Sequence, residues 1–270
     1  MKRISDNELK DIMLEGLIIF RNQCQNYNLK YYLAYGSLLG AVRHHGFIPW
    51  DDDIDIWMPR KDYDKLIQLS GNFSCGSWEV VSNQINSNYL FPFSKFCNSK
   101  TVTPPSRFRN GYLYGVCIDL FPLESSLEGQ TELDVRSMMN DISNKYGTMM
   151  GRYYVFSSNS SFIDSCKQMV WRLYAMIKYP SYSKIIDMQD AEFRKQGMKK
   201  GDFYYCCQTH LRNIWNIDDF GSGVELLFEN HKFIVPNNYD AVLKSLYGDY
   251  WQLPEESERM SPHDFNAYWK

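Results

Sequence analysis

The chain has 270 residues, 44% hydrophobic and 16% aromatic, enough for one large core or two lobes sharing a cleft. Its 29 basic and 32 acidic residues leave a net charge of -3, which argues against a nucleic-acid binder dominated by phosphate contacts. No stretch approaches the roughly 20 apolar residues of a membrane span, and the longest candidate, Met169 to Tyr179, is interrupted by Arg172 and Lys178. Asp6, Glu8, Asp11 and Glu15 break any secretory leader. Cys24, Cys75, Cys97, Cys117, Cys166, Cys206 and Cys207 lack paired zinc spacing and read as reduced thiols, although Cys206, Cys207 and His210 remain candidate metal ligands. The expectation is a cytoplasmic protein, at most peripheral at the inner face of a membrane.

Residues 5 to about 27 predict a helix. Ser5 with Glu8 makes a capping box, and Leu9, Ile12, Met13, Leu17 and Phe20 fall on one packing face. Tyr31 to Tyr35 predicts a short aromatic strand that runs into Gly36-Ser37, and Leu38 to Arg43 the first turns of a second helix. A strand ending in Gly-Ser before a helix offers free backbone N–H groups to a phosphate. Glycine permits close approach, and the Ser37 hydroxyl adds a donor.

The segment from Ile48 to Trp57 then reads as a strand, IPWDDDIDIW. Asp51, Asp53 and Asp55 point one way, and Asp52, Ile54 and Ile56 the other. Carboxylates roughly 6 to 7 Å apart on one face repel one another, so the ridge needs cations or retained protons. A solvated acidic turn competes with this reading. An EF-hand loop fails, because Ile56 and Asp62 stand where Gly and Glu are required. The Asp-X-Asp of a metal-dependent glycosyltransferase survives on these residues alone. The Gly-Ser turn upstream favours a phosphate cradle and a two-metal carboxylate pair on neighbouring strands.

Further along, Lys95 alternates with aromatics in Phe91 to Phe96, and Arg107 and Arg109 follow the Pro104-Pro105 turn. Asp119 is an isolated acid in the apolar run Val116 to Phe121; a buried strand seldom tolerates one unpaired. Residues 126 to about 210 predict a polar start, then aromatic and moderately basic helices around Leu133 to Tyr146 and Val170 to Ile177. Leu226 to Phe228 and Lys232 to Val235 predict a hairpin, and Tyr239 to Tyr247 a short helix ending at Gly248. The division expected is a core at 1–125, a helical acceptor-shaping region at 126–210 and a C-terminal region at 211–270 packing on the core.

Gly36-Ser37, a helix, then Asp53-Ile54-Asp55-Ile56 resembles the polymerase-beta-type nucleotidyltransferase superfamily. The longer run Tyr35 to Ile56, YGSLLGAVRHHGFIPWDDDIDI, resembles the signature of the LicD family of phosphocholine transferases, shared with fukutin-related proteins. The resemblance continues at Arg60 to Tyr63, Ile118 to Leu123, Val235-Pro236 and Leu246 to Tyr250. It implies an α/β (α+β) fold: a mixed sheet with flanking helices, a mostly helical insertion and a C-terminal hairpin and helix. It also implies Asp119 as the third carboxylate, joining Asp53 and Asp55 as catalytic and metal-binding residues, with Asp51 as a bridging or supporting ligand.

Two Mg2+ ions, or Mn2+, are the implied cofactors. Gly36 and Ser37 would grip the leaving phosphates, and Arg43, His44 and Lys95 would neutralise the donor. The implied donor is CDP-choline, the acceptor a hydroxyl of a cell-surface or lipid-linked glycan, and the by-product CMP; no nucleic acid is involved. Trp50 and Trp57 flank the ridge and are candidates for an aromatic cage around a quaternary ammonium. Fukutin-related members imply an alternative cargo, ribitol phosphate. A glycosyltransferase would leave a nucleoside diphosphate instead, and a non-catalytic scaffold would be expected to lose a carboxylate. His263 is a lone tail histidine and reads as solvated.

Overall fold

A computed structural model describes residues 1–86, 88–89, 91–103, 113–150 (backbone only at 142–143 and 145–150), 166–167, 169–170, 173–174, 177, 200–206, 213–259 and 266–270. Arg107, Arg109, Cys207, His210 and His263 lie outside them.

Helix α1 (Asp6–Tyr27) carries the expected capping box, with the Ser5 side chain accepting from Glu8 N and Glu8 reaching back to Ser5 N. Its apolar face, Leu9, Met13, Leu17 and Phe20, is buried, and it ends where Asn28 turns left-handed. Gly16 lets α1 lie directly on the sheet, since a Cβ there would fall 2.3 Å from the Trp78 ring.

The main sheet is mixed. Its path runs β2 (Tyr32–Leu33), β3 (Asp55–Pro59), β7 (Cys117–Leu127), β5 (Ser94–Asn98) and β4 (Trp78–Val81). Strands β3 and β7 are parallel, while β2 on β3, β5 on β7 and β4 on β5 are antiparallel. The far half of β7 pairs with β8 (Lys200–Tyr205), which pairs with β9 (Ile214–Asn216). A strand of the main sheet thus lies at the end of a stretch expected to be mostly helical. Helices α2 (Tyr35–Arg43), α3 (Arg60–Gln68), α4 (Ser70–Phe73) and α5 (Glu132–Met150) connect or cover the strands. Residues 166–167, 169–170, 173–174 and 177 are helical.

The C-terminal hairpin, β10 (Val224–Phe228) and β11 (His231–Val235), turns through Glu229 and Asn230, both at positive φ as a tight hairpin with right-handed strand twist requires. Helix α6 (Tyr239–Tyr247) follows, and a small sheet joins β1 (Lys2–Arg3), β12 (Tyr268–Trp269) and β6 (Thr101–Val102). One apolar core extends from Ile4 to Ala267 and takes in Trp57, Trp215, Phe220, Phe228 and Phe233. Trp57, Trp215 and Phe220 meet there with ring centroids 5.0 to 5.9 Å apart.

Two element boundaries differ from the sequence reading. The aromatic strand is only Tyr32–Leu33, because α2 already begins at Tyr35; Gly36 and Ser37 therefore sit inside its first turn. The Asp-rich strand begins at Asp55, and Pro49 to Ile54 form a turn and irregular chain rather than an alternating strand.

Candidate functional site

Asp55 opens β3 and Asp119 lies near the start of β7, and the parallel pairing places them in register side by side. On the other flank of β7, Lys95 of β5 is in register with Asp119. Three neighbouring strands thus present Asp55, Asp119 and Lys95 in a row at one level of the sheet. The Lys95 ammonium bonds Asp119 Oδ1, which also accepts a weak bond from Cys117 Sγ at 3.7 Å. Lys95 is only 6% exposed, and its Nζ stands 5.2 Å from the ring centroids of Phe91 and Phe93 and 4.9 Å from that of Tyr114. It faces a carboxylate rather than open solvent.

Asp51 and Asp53 reach the same place from the irregular segment. Burial, then repulsion from Asp53 and a hydrogen bond with it, and the Asp52 charge push the Asp51 carboxyl up to about 7. Burial and the charges of Asp53, Asp119 and Asp51 raise Asp55 well above the usual carboxylate range, with Lys95 opposing. Asp119 is raised by its burial, an effect that Lys95 offsets in part. Acids that resist ionisation together form a site suited to a cation.

Helix α2 delivers Gly36 and Ser37. Ser37 is buried, and its Oγ accepts from Asp55 N at 2.9 Å, tying the helix start to the first residue of β3. The backbone N–H groups of Gly36 and Ser37, in the first turn, lie beyond the reach of intrahelical acceptors. A Cβ at Gly36 would fall 2.5 Å from Asp51 Oδ2, so what requires glycine here is the Asp51 carboxylate lying over it. Just before it, Tyr35 holds φ at +43°, with its ring packed on Trp57 at 4.7 Å and Phe121 at 5.7 Å. Such strain persists only where packing over-determines it.

Arg43 and His44 close α2. Arg43 Nη1 donates to Tyr250 O at 2.6 Å and Nε to His44 Nε2 at 3.0 Å, so this guanidinium fastens the helix to the C-terminal segment. Burial, followed by the Arg43 and His45 charges, lowers the His44 pKa and favours the neutral ring. Trp50 is half-buried, its ring 5.6 Å from the Arg259 guanidinium and 6.2 Å from the His44 ring. Trp57 is fully buried on Tyr35 and Trp215 and does not line the site.

Two tyrosines join the site that the sequence did not single out. Tyr247, at the end of α6, is held un-ionised by burial and by the charges of Asp55, Asp51 and Asp53, so its hydroxyl stands within their field. In the sequence it lies at the end of a predicted helix and within the Leu246 to Tyr250 stretch of the family resemblance, with no role attached to it. Tyr114 faces Lys95 and precedes β7 by three residues.

Among the described residues, no three His, Cys, Asp or Glu side chains converge in a finished metal cage. The donor set still fits Mg2+, a hard cation that keeps several waters and binds through one or two carboxylates plus substrate phosphates. One or two of Asp51, Asp53 and Asp55 would hold it. Among the described residues, no helix is long and apolar enough to cross a membrane.

Residues 28–134 match the family model described as LicD/FKTN/FKRP, nucleotidyltransferase domain. The chain is similar to the lipopolysaccharide cholinephosphotransferase LicD of Haemophilus influenzae, 25% identical over 284 aligned positions that cover 99% of each chain. It is 46% identical over 43 residues to the human ribitol 5-phosphate transferase FKRP, covering 16% of this chain and 9% of that one. An uncharacterized protein of Rickettsia prowazekii is 50% identical over 46 residues, 17% of each chain.

Proposed function

Because residues 28–134 are a nucleotidyltransferase domain of the LicD/FKTN/FKRP family, we propose that this chain transfers a phospho-alcohol, with phosphocholine as the cargo. The donor is CDP-choline, the acceptor a hydroxyl of a cell-surface or lipid-linked glycan, and CMP the leaving product. The full-length similarity to a lipopolysaccharide cholinephosphotransferase supports that cargo. The observation that carries the chemistry is the parallel register of Asp55 with Asp119, joined by the Asp51 carboxylate, whose charge acts on Asp55.

In this reading Mg2+ binds among Asp51, Asp53 and Asp55. When bound, the ion stabilises charge on the diphosphate and on departing CMP. Gly36 and Ser37 donate backbone N–H groups at the positive end of α2 to the donor phosphates. Asp119, raised by burial, takes the proton of the acceptor hydroxyl. The Ser37 to Asp55 bond keeps phosphate grip and carboxylates at a fixed separation, so the donor is positioned rather than merely held.

The test is CMP release from CDP-choline by purified protein, with and without a lipid-linked glycan extract. Acceptor-dependent CMP that is lost in EDTA and falls ~10²–10³-fold in Asp55→Ala, the range for removing one charge-stabilising group, is the expected result. CMP from CDP-ribitol or CDP-glycerol alone would keep the chemistry and change the cargo, the outcome favoured by the local similarity to FKRP. Release of UDP from a UDP-sugar, with every CDP donor silent, would overturn the proposal in favour of glycosyl transfer.

A further inference from the structure

Two-metal phosphoryl-transfer sites hold their ions roughly 3.5 to 4 Å apart on shared carboxylates. Here Asp119, the carboxylate positioned to be shared with Asp55, has its Oδ1 bonded by the Lys95 ammonium. That ammonium is in register with Asp119 across β5 and β7, nearly closed off from solvent, and ringed by the faces of Phe91, Phe93 and Tyr114. Ring faces attract cations, so these three aromatics hold the positive charge in place against the carboxylate. A lysine placed merely to attract incoming phosphate would keep its head in water.

We infer that Lys95 is a tethered cation that takes the place of the second divalent ion, so that the chain binds a single ion, at Asp51, Asp53 and Asp55. This rests on the metal-dependent reading above and departs from the count of two implied by the family resemblance. Lys95 is on this view a positioning residue: it fixes the Asp119 carboxylate and neutralises part of the cluster while leaving one ion to meet the donor.

The charge arrangement supports the same division. In the row of Asp55, Asp119 and Lys95, the ammonium stands at the Asp119 end and Asp55 at the other. One end of the row therefore already has its cation built in, and the other end does not.

The test counts bound ions in metal-stripped, full-length protein, using Mn2+ alone and reading free Mn2+ by electron paramagnetic resonance after equilibrium dialysis. One Mn2+ per chain is expected for the wild type and for Lys95→Arg, and two for Lys95→Met, in which Asp119 is released. Two ions on the wild type would overturn the inference with the metal reading intact, and so would a count that stays at one in Lys95→Met. No Mn2+ on the wild type would sink the metal reading itself and this inference with it. Should Lys95→Met fail to fold, the wild-type count decides.

Discussion

Asp51 is buried beside Asp53 and Asp52, and its carboxyl is pushed up to about 7. In the unfolded chain the same group ionises near 4. The folded form therefore binds more protons between these values, so this contribution to stability is fully present below about pH 4 and lost as pH rises through about 7. In excess EDTA, the melting temperature should fall between pH 5 and pH 8, by ~2–4 °C for each kcal/mol lost. Mg2+ should restore it, and more at pH 8 than at pH 5, because the ion competes with protons for the same oxygens. Asp51→Asn should flatten the profile. Equal melting temperatures across that range in EDTA would refute the mutual repulsion of these carboxylates.

At the scale of elements, the fastening of α3 to β7 decides whether the Asp55 and Asp119 strands stay in register. Arg60, the first residue of α3, meets Glu124 of β7 through two bonds, Nε to Oε2 at 2.9 Å and Nη2 to Oε1. It also reaches Asp64 at 3.3 Å and lies over the Tyr63 ring. Glu124 is 2% exposed, so Arg60→Met leaves a buried carboxylate without its main partner and should cost ~3–5 kcal/mol in chemical denaturation. The double variant Arg60→Met, Glu124→Leu should cost clearly less, since neither charge is then stranded; equal losses would mean that packing rather than charge is what Arg60 contributes.

Part of this was legible in advance. The capping box of α1 follows from spacing, and the family resemblance named Asp119 as a third carboxylate; the register of Asp119 with Asp55 and of Lys95 with Asp119 is written in neither. The start of β3 was not legible, because alternation in Asp51 to Ile56 describes a strand equally well whether pairing begins at residue 51 or 55. Tyr247 was hidden for another reason: α6 meets the carboxylates from nearly 200 residues away, and nothing in an amphipathic helix tells which foreign surface its last residue will face.

At the scale of the molecule, the large apolar core of the described residues is completed by the distant C-terminal part. Trp57, one position after Ile56, packs on Trp215 and Phe220, and α2 rests under the hairpin, where a Cβ at Gly40 would fall 2.4 Å from Gly46 O and 3.4 Å from Phe228. Residues 1–134 expressed alone should therefore lack a cooperative melt in near-ultraviolet circular dichroism, while the full chain unfolds in one transition; a cooperative fragment would refute a single shared core. The Glu229 turn has a consequence for reading genomes. Glu229 N donates to His45 O at 2.9 Å and its Oε1 accepts from Phe47 N at 3.1 Å, so the hairpin clamps the loop leading to the carboxylates. A frame truncated after residue 134 would keep every letter of the recognised domain and lose that clamp. Counting genes by the matched domain alone would then score broken copies as working ones, and a survey of chains that match this domain model should ask for the hairpin as well as the aspartates.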